Sequence, residues 1–230
     1  MTENHLHTLI LPDIFDGRVR AFFTTKALGA DRTKIGDLFS MDQEAICMPL
    51  QKHTDSVWLL NEECSPVKAD AVVTRNTGIL VGVQVADCVP MLLYDRQRSA
   101  VGAVHAGWKG TSLQILKKTI SVMAEQFGSV PSDIRVAFGP SIRGYCYPVD
   151  REVKDAVMSA SGPGDYAVQT SGKFCVDLAS ANLLQALTAG ILSQNIWISP
   201  ECTYCNPDAF HSYRYHRNHA GRQGGFIGIF

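Results

Sequence analysis

Two short apolar runs near the middle of the chain restrict its fold more than any other feature. Ile79–Val85 and Ala100–His105 are rich in β-branched residues and contain no Asp, Glu, Lys or Arg. Runs of this kind are typical of strands that are covered on both faces of a sheet. The Asp95–Arg98 segment between them predicts a turn. We therefore expect a layered protein in which these strands lie in the interior.

A helical pattern follows the second run directly. Thr111 is a candidate N-cap, and apolar residues at helical spacing predict a helix from Ser112 to about Phe127, with Gly128 as its stop. The other predicted strands are Arg20–Thr24, Ser56–Leu60, Ala71–Thr74, Ile134–Phe138, Asn195–Ser199 and Phe226–Phe230, and the other predicted helices are Glu152–Ser159, Leu178–Ala189 and Pro207–Tyr213. This alternation predicts an α/β fold with mixed sheets, as a single domain over residues 1–230.

Charge and composition exclude several classes of protein. The 230 residues contain 21 Lys and Arg against 22 Asp and Glu, which argues against a nucleic-acid binder. No apolar run approaches the ~18 residues that a membrane-spanning helix needs, and the N-terminus has no basic segment typical of a signal peptide. The seven cysteines are scattered and odd in number. We therefore expect reduced thiols in a cytoplasmic protein that contacts neither membranes nor nucleic acid.

Several common catalytic motifs are missing. The chain contains neither G-x-x-x-x-G-K-[ST] nor G-x-G-x-x-G, and the segment Gly139–Gly144 has one residue too many for a G-x-S-x-G nucleophile elbow. These absences weaken the interpretations as a kinase, an NAD-dependent dehydrogenase or an α/β-hydrolase.

Three chemically active side chains lie at the predicted ends of strands, where α/β sheets bind ligands. His53 precedes one strand, Cys88 follows another, and His105 ends a third. Two imidazoles and one thiolate suit Zn²⁺ with a fourth position open for water or substrate. Their spacing matches no local metal motif, so His105 as a core histidine and Cys88 as a small buried hydrophobe stay open alternatives. Asp87 needs a partner or water in this position.

Two further segments are candidate anion sites. Glycines surround Lys109 in the turn Gly107–Thr111 before the predicted helix, although an ordinary tight turn explains the same residues. Arginines alternate with aromatic residues in Ser212–Arg222, which suits an anionic or purine-like ligand as well as a solvated surface. The lone Cys-x-x-Cys pair Cys202 and Cys205 is a weak redox motif, and two unrelated cysteines are the better interpretation.

A group of motifs resembles the YfiH/laccase-domain family. They are Ala86–Pro90 (Ala-Asp-Cys-Val-Pro), Val104–Gly110 (Val-His-Ala-Gly-Trp-Lys-Gly), Gly139-Pro140-x-Ile142, Cys146-Tyr147, Cys202–Tyr204 and Ser212–Arg214. The resemblance implies an α/β sandwich like that of the cysteine hydrolases of the deamidating-toxin (CNF) type. It also implies zinc ligands at His53, Cys88 and His105. The positions that depart from the family pattern are Val85, Pro148, Tyr215 and Ala220, and none of them is a proposed ligand.

The resemblance implies a zinc-dependent purine nucleoside enzyme. Such enzymes phosphorolyse adenosine, inosine, guanosine and methylthioadenosine, and they deaminate adenosine, so the expected partners are purine nucleosides and phosphate. We expect Cys88, His105 and Arg214 to be catalytic, with Lys109 and Arg222 as further candidates for binding phosphate. Asp55 or Asp87 is the candidate that orients a ligand histidine.

Three other functions stay open. A copper-dependent polyphenol oxidase would need many histidines, yet the chain has seven and a single His-x-His pair (His5 and His7), so only a mononuclear site with Met91 as axial ligand fits. A cysteine hydrolase or amidase, for instance in editing peptidoglycan precursors, would use Cys88 as nucleophile and His105 as base. A non-catalytic binding module would hold no metal.

Overall fold

The computed structural model describes residues 8–61, 63–170 and 172–230. Within these ranges the strands are β1 (Leu9–Ile10), β2 (Val19–Thr24), β3 (Ile46–Cys47), β4 (Val57–Leu59), β5 (Ala71–Thr74), β6 (Leu80–Val85), β7 (Val89–Asp95), β8 (Ala100–Ala106), β9 (Ile134–Phe138), β10 (Pro148–Val149), β11 (Ala167–Thr170), β12 (Lys173–Val176), β13 (Ile196–Ile198) and β14 (Gln223–Ile229). The α-helices are α1 (Arg32–Phe39), α2 (Trp108–Ser112), α3 (Ile115–Phe127), α4 (Arg151–Ser161), α5 (Leu178–Thr188) and α6 (Tyr213–His216). The predicted pair His5 and His7 lies outside the described residues.

The described strands form three sheets. A six-stranded sheet has the order β13-β9-β7-β8-β5-β4, and a five-stranded sheet has the order β1-β2-β14-β6-β3. Both are mixed, because the pairs β13–β9, β4–β5 and β3–β6 are parallel and the other pairs are antiparallel. A small antiparallel sheet has the order β10-β12-β11. The prediction of an α/β fold with mixed sheets is therefore confirmed.

The two large sheets pack face to face, and helices cover their outer sides. Along β7, Met91 and Leu93 pack with residues of α3 and α5, whereas Leu92 and Tyr94 pack with residues of the five-stranded sheet. This alternation follows from the two-residue period of a strand. On the far side, Ile35 of α1 packs with residues of β2, β6 and β14. The interior strands are covered on both faces, which explains their unbroken apolar sequence.

Strand β7 is not among the predicted strands, and its second residue, Pro90, belongs to a type that central strands normally exclude. Pro90 lacks an N–H group, yet it pairs in register with His105, and its carbonyl accepts the N–H of Gly139 at 2.8 Å. Strand β7 runs antiparallel to β8, so the start of one strand and the end of the other lie at the same edge of the sheet. This topology brings the residue before β7, Cys88, close to His105.

The single helix expected from Ser112 to Phe127 is wrong. The structure has two helices, α2 and α3, and the backbone breaks at Gln114, whose φ is +59°. Thr111 is a buried residue of α2 rather than an N-cap, and its hydroxyl accepts a hydrogen bond from the Asn182 side chain. The predicted stop at Gly128 is confirmed, with a left-handed φ of +70°.

A helix over Pro207–Tyr213 is also wrong. Helix α6 begins later, at Tyr213, and the side chain of Ser212 caps it by accepting the N–H of Tyr215. Within α6, the backbone N–H of Arg214 donates to the carboxylate of Asp87.

The expectation that all thiols are reduced is corrected for one pair. Cys47 of β3 and Cys64 form a disulfide, with their Cα atoms 5.4 Å apart. Three residues beyond each of these cysteines, the N–H of Leu50 donates to the carbonyl of Val67. The other five cysteines are free. Among the described helices, none combines the length and the apolar character that crossing a membrane requires.

Candidate metal centre

His53, Cys88 and His105 meet at one edge of the six-stranded sheet. One ligand atom from each of the three side chains lies within 4.8 Å of the others, and the two imidazole rings are nearly perpendicular, with centroids 4.9 Å apart. His53 comes from the loop before β4, Cys88 from the connection between β6 and β7, and His105 from β8. The His105 ring is buried, whereas the His53 ring is exposed, so solvent reaches the cluster from one side.

Gly107 leaves space beside two of these three side chains, Cys88 and His53. A Cβ atom at this position would lie 2.9 Å from the Cys88 sulfur and 3.2 Å from Cδ2 of His53. The backbone of Gly107 has φ −78° and ψ −177°, which any residue adopts, so the requirement for glycine is steric. A side chain here would displace the thiol and an imidazole from the position that they share.

The carboxylate of Asp70 holds His105 from behind. Its Oδ1 lies 2.8 Å from Nδ1 of the imidazole, and both side chains are almost completely buried. The backbone N–H of His105 also donates to the Asp70 carbonyl at 2.8 Å. Nδ1 is thus engaged, and Nε2 is the nitrogen that remains for a ligand. This carboxylate–histidine arrangement is the usual support of a metal-binding histidine.

The same carboxylate shapes the loop that carries His53. The backbone N–H groups of Lys52, His53 and Thr54 and the hydroxyl of Thr54 all donate to Asp70, at distances between 2.6 and 3.2 Å. His53 itself has φ +57°, a left-handed conformation that is unusual for a residue other than glycine. One buried side chain therefore positions both histidines. Sequence reasoning missed Asp70, although a carboxylate between two alanines at the start of an apolar strand was a detectable signal.

The electrostatics of the cluster favour ionisation of the thiol. Burial of Cys88 raises its pKa, but the charge of His105 and hydrogen bonds from both histidines outweigh burial and lower the pKa to about 6. Burial of His105 lowers its pKa, but the Cys88 thiolate and Asp70 outweigh this effect and raise the pKa to about 9. Despite its burial, hydrogen bonds from His105 and Thr54 hold the pKa of Asp70 far below its ordinary value. The two shifts favour a thiolate at Cys88 and an imidazolium at His105.

The two aspartates expected to orient a histidine have other partners. Asp55 forms a partly exposed ion pair with Lys118. Asp87 has φ +84°; its Oδ1 accepts from the Thr203 hydroxyl at 2.7 Å, and its Oδ2 accepts from the N–H of Arg214 at 2.6 Å. Asp87 therefore fixes the segment that carries Arg214 beside Cys88. The expectation for both aspartates is corrected, because Asp70 occupies the place behind His105.

Arg214 lies beside the cluster on an aromatic surface. Its guanidinium carbon is 4.9 Å from the centroid of the Tyr147 ring, and its Nη1 donates to the carbonyl of Pro148 at 3.1 Å. Burial and the Cys88 thiolate raise the pKa of Tyr147 to about 12, which keeps the phenol neutral. Arg214 is half-buried, so its guanidinium is stacked and partly desolvated.

The other predicted anion-binding residues have local contacts. Lys109 is exposed and its ammonium lies over the Trp108 ring. Arg222 is exposed, and its Nη1 donates to the carbonyls of Ala220 and Gly221. Met91, the axial ligand of the copper alternative, is completely buried and packs in the core beside α3 and α5.

The donor set fits one ion. Two imidazole nitrogens and one thiolate suit Zn²⁺ in an open catalytic site, and the same set suits a mononuclear copper site. The space that Gly107 leaves and the carboxylate behind His105 support this interpretation. Among the described residues, the other group of three or more potential ligands is Cys146, Cys202 and Cys205. That group contains no histidine, so the described residues provide no histidine-rich multinuclear copper centre.

Comparison with known proteins identifies a family and relatives of similar sequence. The family model described as multi-copper polyphenol oxidoreductase laccase matches residues 24–230. The chain is 35% identical over 211 residues to the purine nucleoside phosphorylase YlmD of Bacillus subtilis, which covers 86% of this chain and 76% of that protein. It is 36% identical over 203 residues to the adenosine deaminase RL5 of an unknown prokaryotic organism, over 83% of this chain and 76% of that protein.

The fold is similar to that of a solved structure. The crystal structure of the hypothetical protein YfiH of Bacillus licheniformis matches with a TM-score of 0.88 and 28% identity, over 97% of both chains. The fold class that the sequence motifs implied is thereby confirmed.

Proposed function

The chain belongs to the multi-copper polyphenol oxidoreductase laccase family, and from this premise we propose that it is a purine nucleoside enzyme that uses a single Zn²⁺ ion. The observation that carries the proposal is the convergence of His53, Cys88 and His105, two of which lie beside the space that Gly107 leaves. The relatives named purine nucleoside phosphorylase and adenosine deaminase supply the substrate class. The substrates are purine nucleosides, with phosphate as co-substrate for phosphorolysis and water for deamination.

The chain's own residues prepare the metal position. Cys88 and Nε2 of His105 would hold the ion from the buried side, and His53 would hold it from the exposed side. Bound Zn²⁺ would supply positive charge that polarises an oxygen or nitrogen atom of the substrate. Asp70 keeps the Nδ1 proton of His105 engaged, which directs Nε2 to the ion. The low pKa of Cys88 supports ligation, because metals bind the thiolate.

We assign the binding of the phosphate anion to Arg214. In phosphorolysis, a phosphate oxygen bonds to C1′ of the ribose while the bond from C1′ to the purine nitrogen breaks, and the base leaves with that electron pair. A guanidinium that is fixed on Tyr147 and Pro148 offers forked N–H donors to phosphate without first losing much conformational freedom. Asp87 places this residue by holding its backbone N–H.

The family description of several copper ions does not fit the described residues. A multinuclear oxidase centre needs more donors than the three that meet here. A mononuclear copper oxidase stays a second candidate on the donor set alone, since two imidazoles and a thiolate also suit copper. Oxidation of a phenol with oxygen uptake by the copper-loaded protein would favour it.

A cysteine hydrolase is favoured by the position of His105 beside Cys88, where it lowers the pKa of the thiol. A nucleophilic cysteine and its histidine base use the same ionisation. The metal and the nucleophile roles compete for one sulfur atom, so chelators separate them. Activity that survives a chelator but is abolished by iodoacetamide would indicate the hydrolase.

The test begins with the metal content of the purified chain, followed by assays with adenosine, inosine, guanosine and methylthioadenosine. We expect purine release that depends on phosphate, or ammonia release from adenosine, and loss of either activity after a chelator removes the metal. His53→Ala and Cys88→Ala should lower the activity at least about a hundredfold, because each removes one of three ligands.

Two matched variants serve as controls. His219→Ala removes an exposed histidine, and Cys175→Ala removes a free cysteine, and both lie outside the cluster. Both should keep the wild-type activity. Full nucleoside turnover by Cys88→Ala would overturn the proposal.

A further inference from the structure

A second group of sulfur atoms converges outside the first cluster. Cys146 ends the 3₁₀ turn Gly144–Cys146, Cys202 pairs with Ser141 in an isolated β-bridge, and Cys205 follows in the next turn. The three Sγ atoms all lie within 4.8 Å of one another, and those of Cys146 and Cys205 are 3.2 Å apart. The nucleoside chemistry proposed above uses none of them.

We propose that Cys146, Cys202 and Cys205 form a second metal site, for a thiophilic ion of the Zn²⁺ type. Three thiolates prefer soft or borderline ions such as Zn²⁺ over Mg²⁺ or Ca²⁺. The Cys-x-x-Cys pair is a local chelate, and Cys146 supplies the third ligand from a distant part of the chain. Each thiol releases its proton as its bond to the metal forms. This inference goes beyond the proposed function and does not depend on it.

The surroundings of the cluster support ligation. Cys202 is buried, Cys146 is half-buried and Cys205 is exposed, so the ion enters from solvent and the innermost ligand is fixed by the fold. The backbone N–H of Arg143 lies 3.5 Å from the Cys202 sulfur and donates to it. Such donors orient a thiolate ligand and stabilise its charge. With three protein sulfurs, the solvent-facing side of the ion remains open to a fourth ligand.

The position of the site gives the metal a structural role. Cys146 immediately precedes Tyr147, the surface on which Arg214 stacks. Cys202 immediately precedes Thr203, whose hydroxyl donates to Asp87. A metal that joins these two segments would restrict the movement of Tyr147 and Thr203.

The experiment counts metal ions in the reduced protein. Zn²⁺ is removed with a chelator, restored under reducing conditions without oxygen, and measured by elemental analysis after buffer exchange. We expect about two ions per wild-type chain, about one in Cys88→Ala and about one in Cys146→Ser/Cys205→Ser. The double variant retains the buried Cys202, and its thermal unfolding reports whether it folds.

Cd²⁺ provides an independent readout. Thiolate-to-metal charge-transfer absorption scales with the number of thiolate ligands. Cys88→Ala, which keeps three clustered thiols, should therefore absorb about three times as strongly as Cys146→Ser/Cys205→Ser, which keeps Cys88. Cys175→Ser and Cys64→Ser are controls, and both should keep the wild-type metal content. The Cys64→Ser variant tests whether reduction of the disulfide between Cys47 and Cys64 creates an additional metal site.

The outcomes separate this inference from the proposed function. If Cys88→Ala keeps the wild-type metal content and the double variant loses one ion, the first site fails and the second stands. Equal metal content in the double variant and the wild type would overturn the second site. It would also be overturned if the reduced Cys88→Ala protein, in which Cys146 and Cys205 are thiols, bound no metal.

Discussion

The Asp70 carboxylate holds His105 through a buried contact of 2.8 Å between Oδ1 and Nδ1. The same carboxylate accepts three successive backbone N–H groups of the loop that carries His53. Two of the three proposed ligands therefore depend on one side chain that is itself not a ligand.

Asp70→Asn should weaken Zn²⁺ binding about ten- to a hundredfold, because the amide holds the imidazole less well and loses one acceptor for the loop. Competition with a chromogenic chelator measures the affinity. Asp55→Asn is the matched control, since Asp55 pairs with Lys118 near the surface, and it should leave the affinity unchanged. An affinity of Asp70→Asn within twofold of the wild type would contradict the supporting role.

Gly107→Ala should weaken metal binding without unfolding the protein. The added Cβ would press against the Cys88 sulfur at 2.9 Å, while the backbone conformation stays accessible to alanine. We expect at least a tenfold loss of metal affinity, about 1.4 kcal/mol or more, with a small change in melting temperature. Elemental analysis and thermal unfolding measure the two effects.

Gly17→Ala is the control for this substitution, because a Cβ at Gly17 meets no atom within 4 Å. Gly17→Ala should change neither the metal affinity nor the melting temperature. If Gly107→Ala binds metal as the wild type does, the cluster does not use this space.

Arg214→Ala should raise KM for phosphate about ten- to a hundredfold, the range expected for loss of a charge-assisted hydrogen bond. Arg214→Lys should recover only part of the loss, since an ammonium neither stacks on Tyr147 nor binds phosphate through two N–H groups. Steady-state kinetics at varied phosphate concentration measure the effect.

Arg222→Ala removes an exposed arginine that donates to neighbouring backbone carbonyls, and it should leave KM for phosphate unchanged. An unaltered KM in Arg214→Ala, combined with lower stability, would assign Arg214 a structural role instead.

Asp87→Ala should lower the free energy of unfolding by about 2–4 kcal/mol. The change leaves the Thr203 hydroxyl and the N–H of Arg214 without their acceptor, and it places alanine at a φ of +84°. Urea denaturation measures the difference, with the exposed Asp208→Ala as a control that should change stability by less than about 0.5 kcal/mol. A loss below 1 kcal/mol for Asp87→Ala would show that the contact is weak.

The sequence by itself determined the layered α/β character of the protein, because burial on both faces requires an unbroken apolar strand such as β8. The strand Ala71–Thr74 and the strand Ile134–Phe138 were predicted with the bounds that the structure has. His53, Cys88 and His105 were also selected from the sequence, since few residue types bind metals and these lay beside predicted strand ends. Such signals are local, so the order of residues alone contains them.

Only the tertiary structure decided how these residues meet. Asp70 lies 17 residues from His53 and 35 residues from His105, and it reaches both only because β5 pairs with β4 and β8 and the loop before β4 folds onto its carboxylate. Strand β7 overrides the local effect of Pro90, because its neighbours on both sides provide pairing that an isolated segment lacks. Contacts between distant residues depend on strand register and packing, and no local pattern along the chain specifies them.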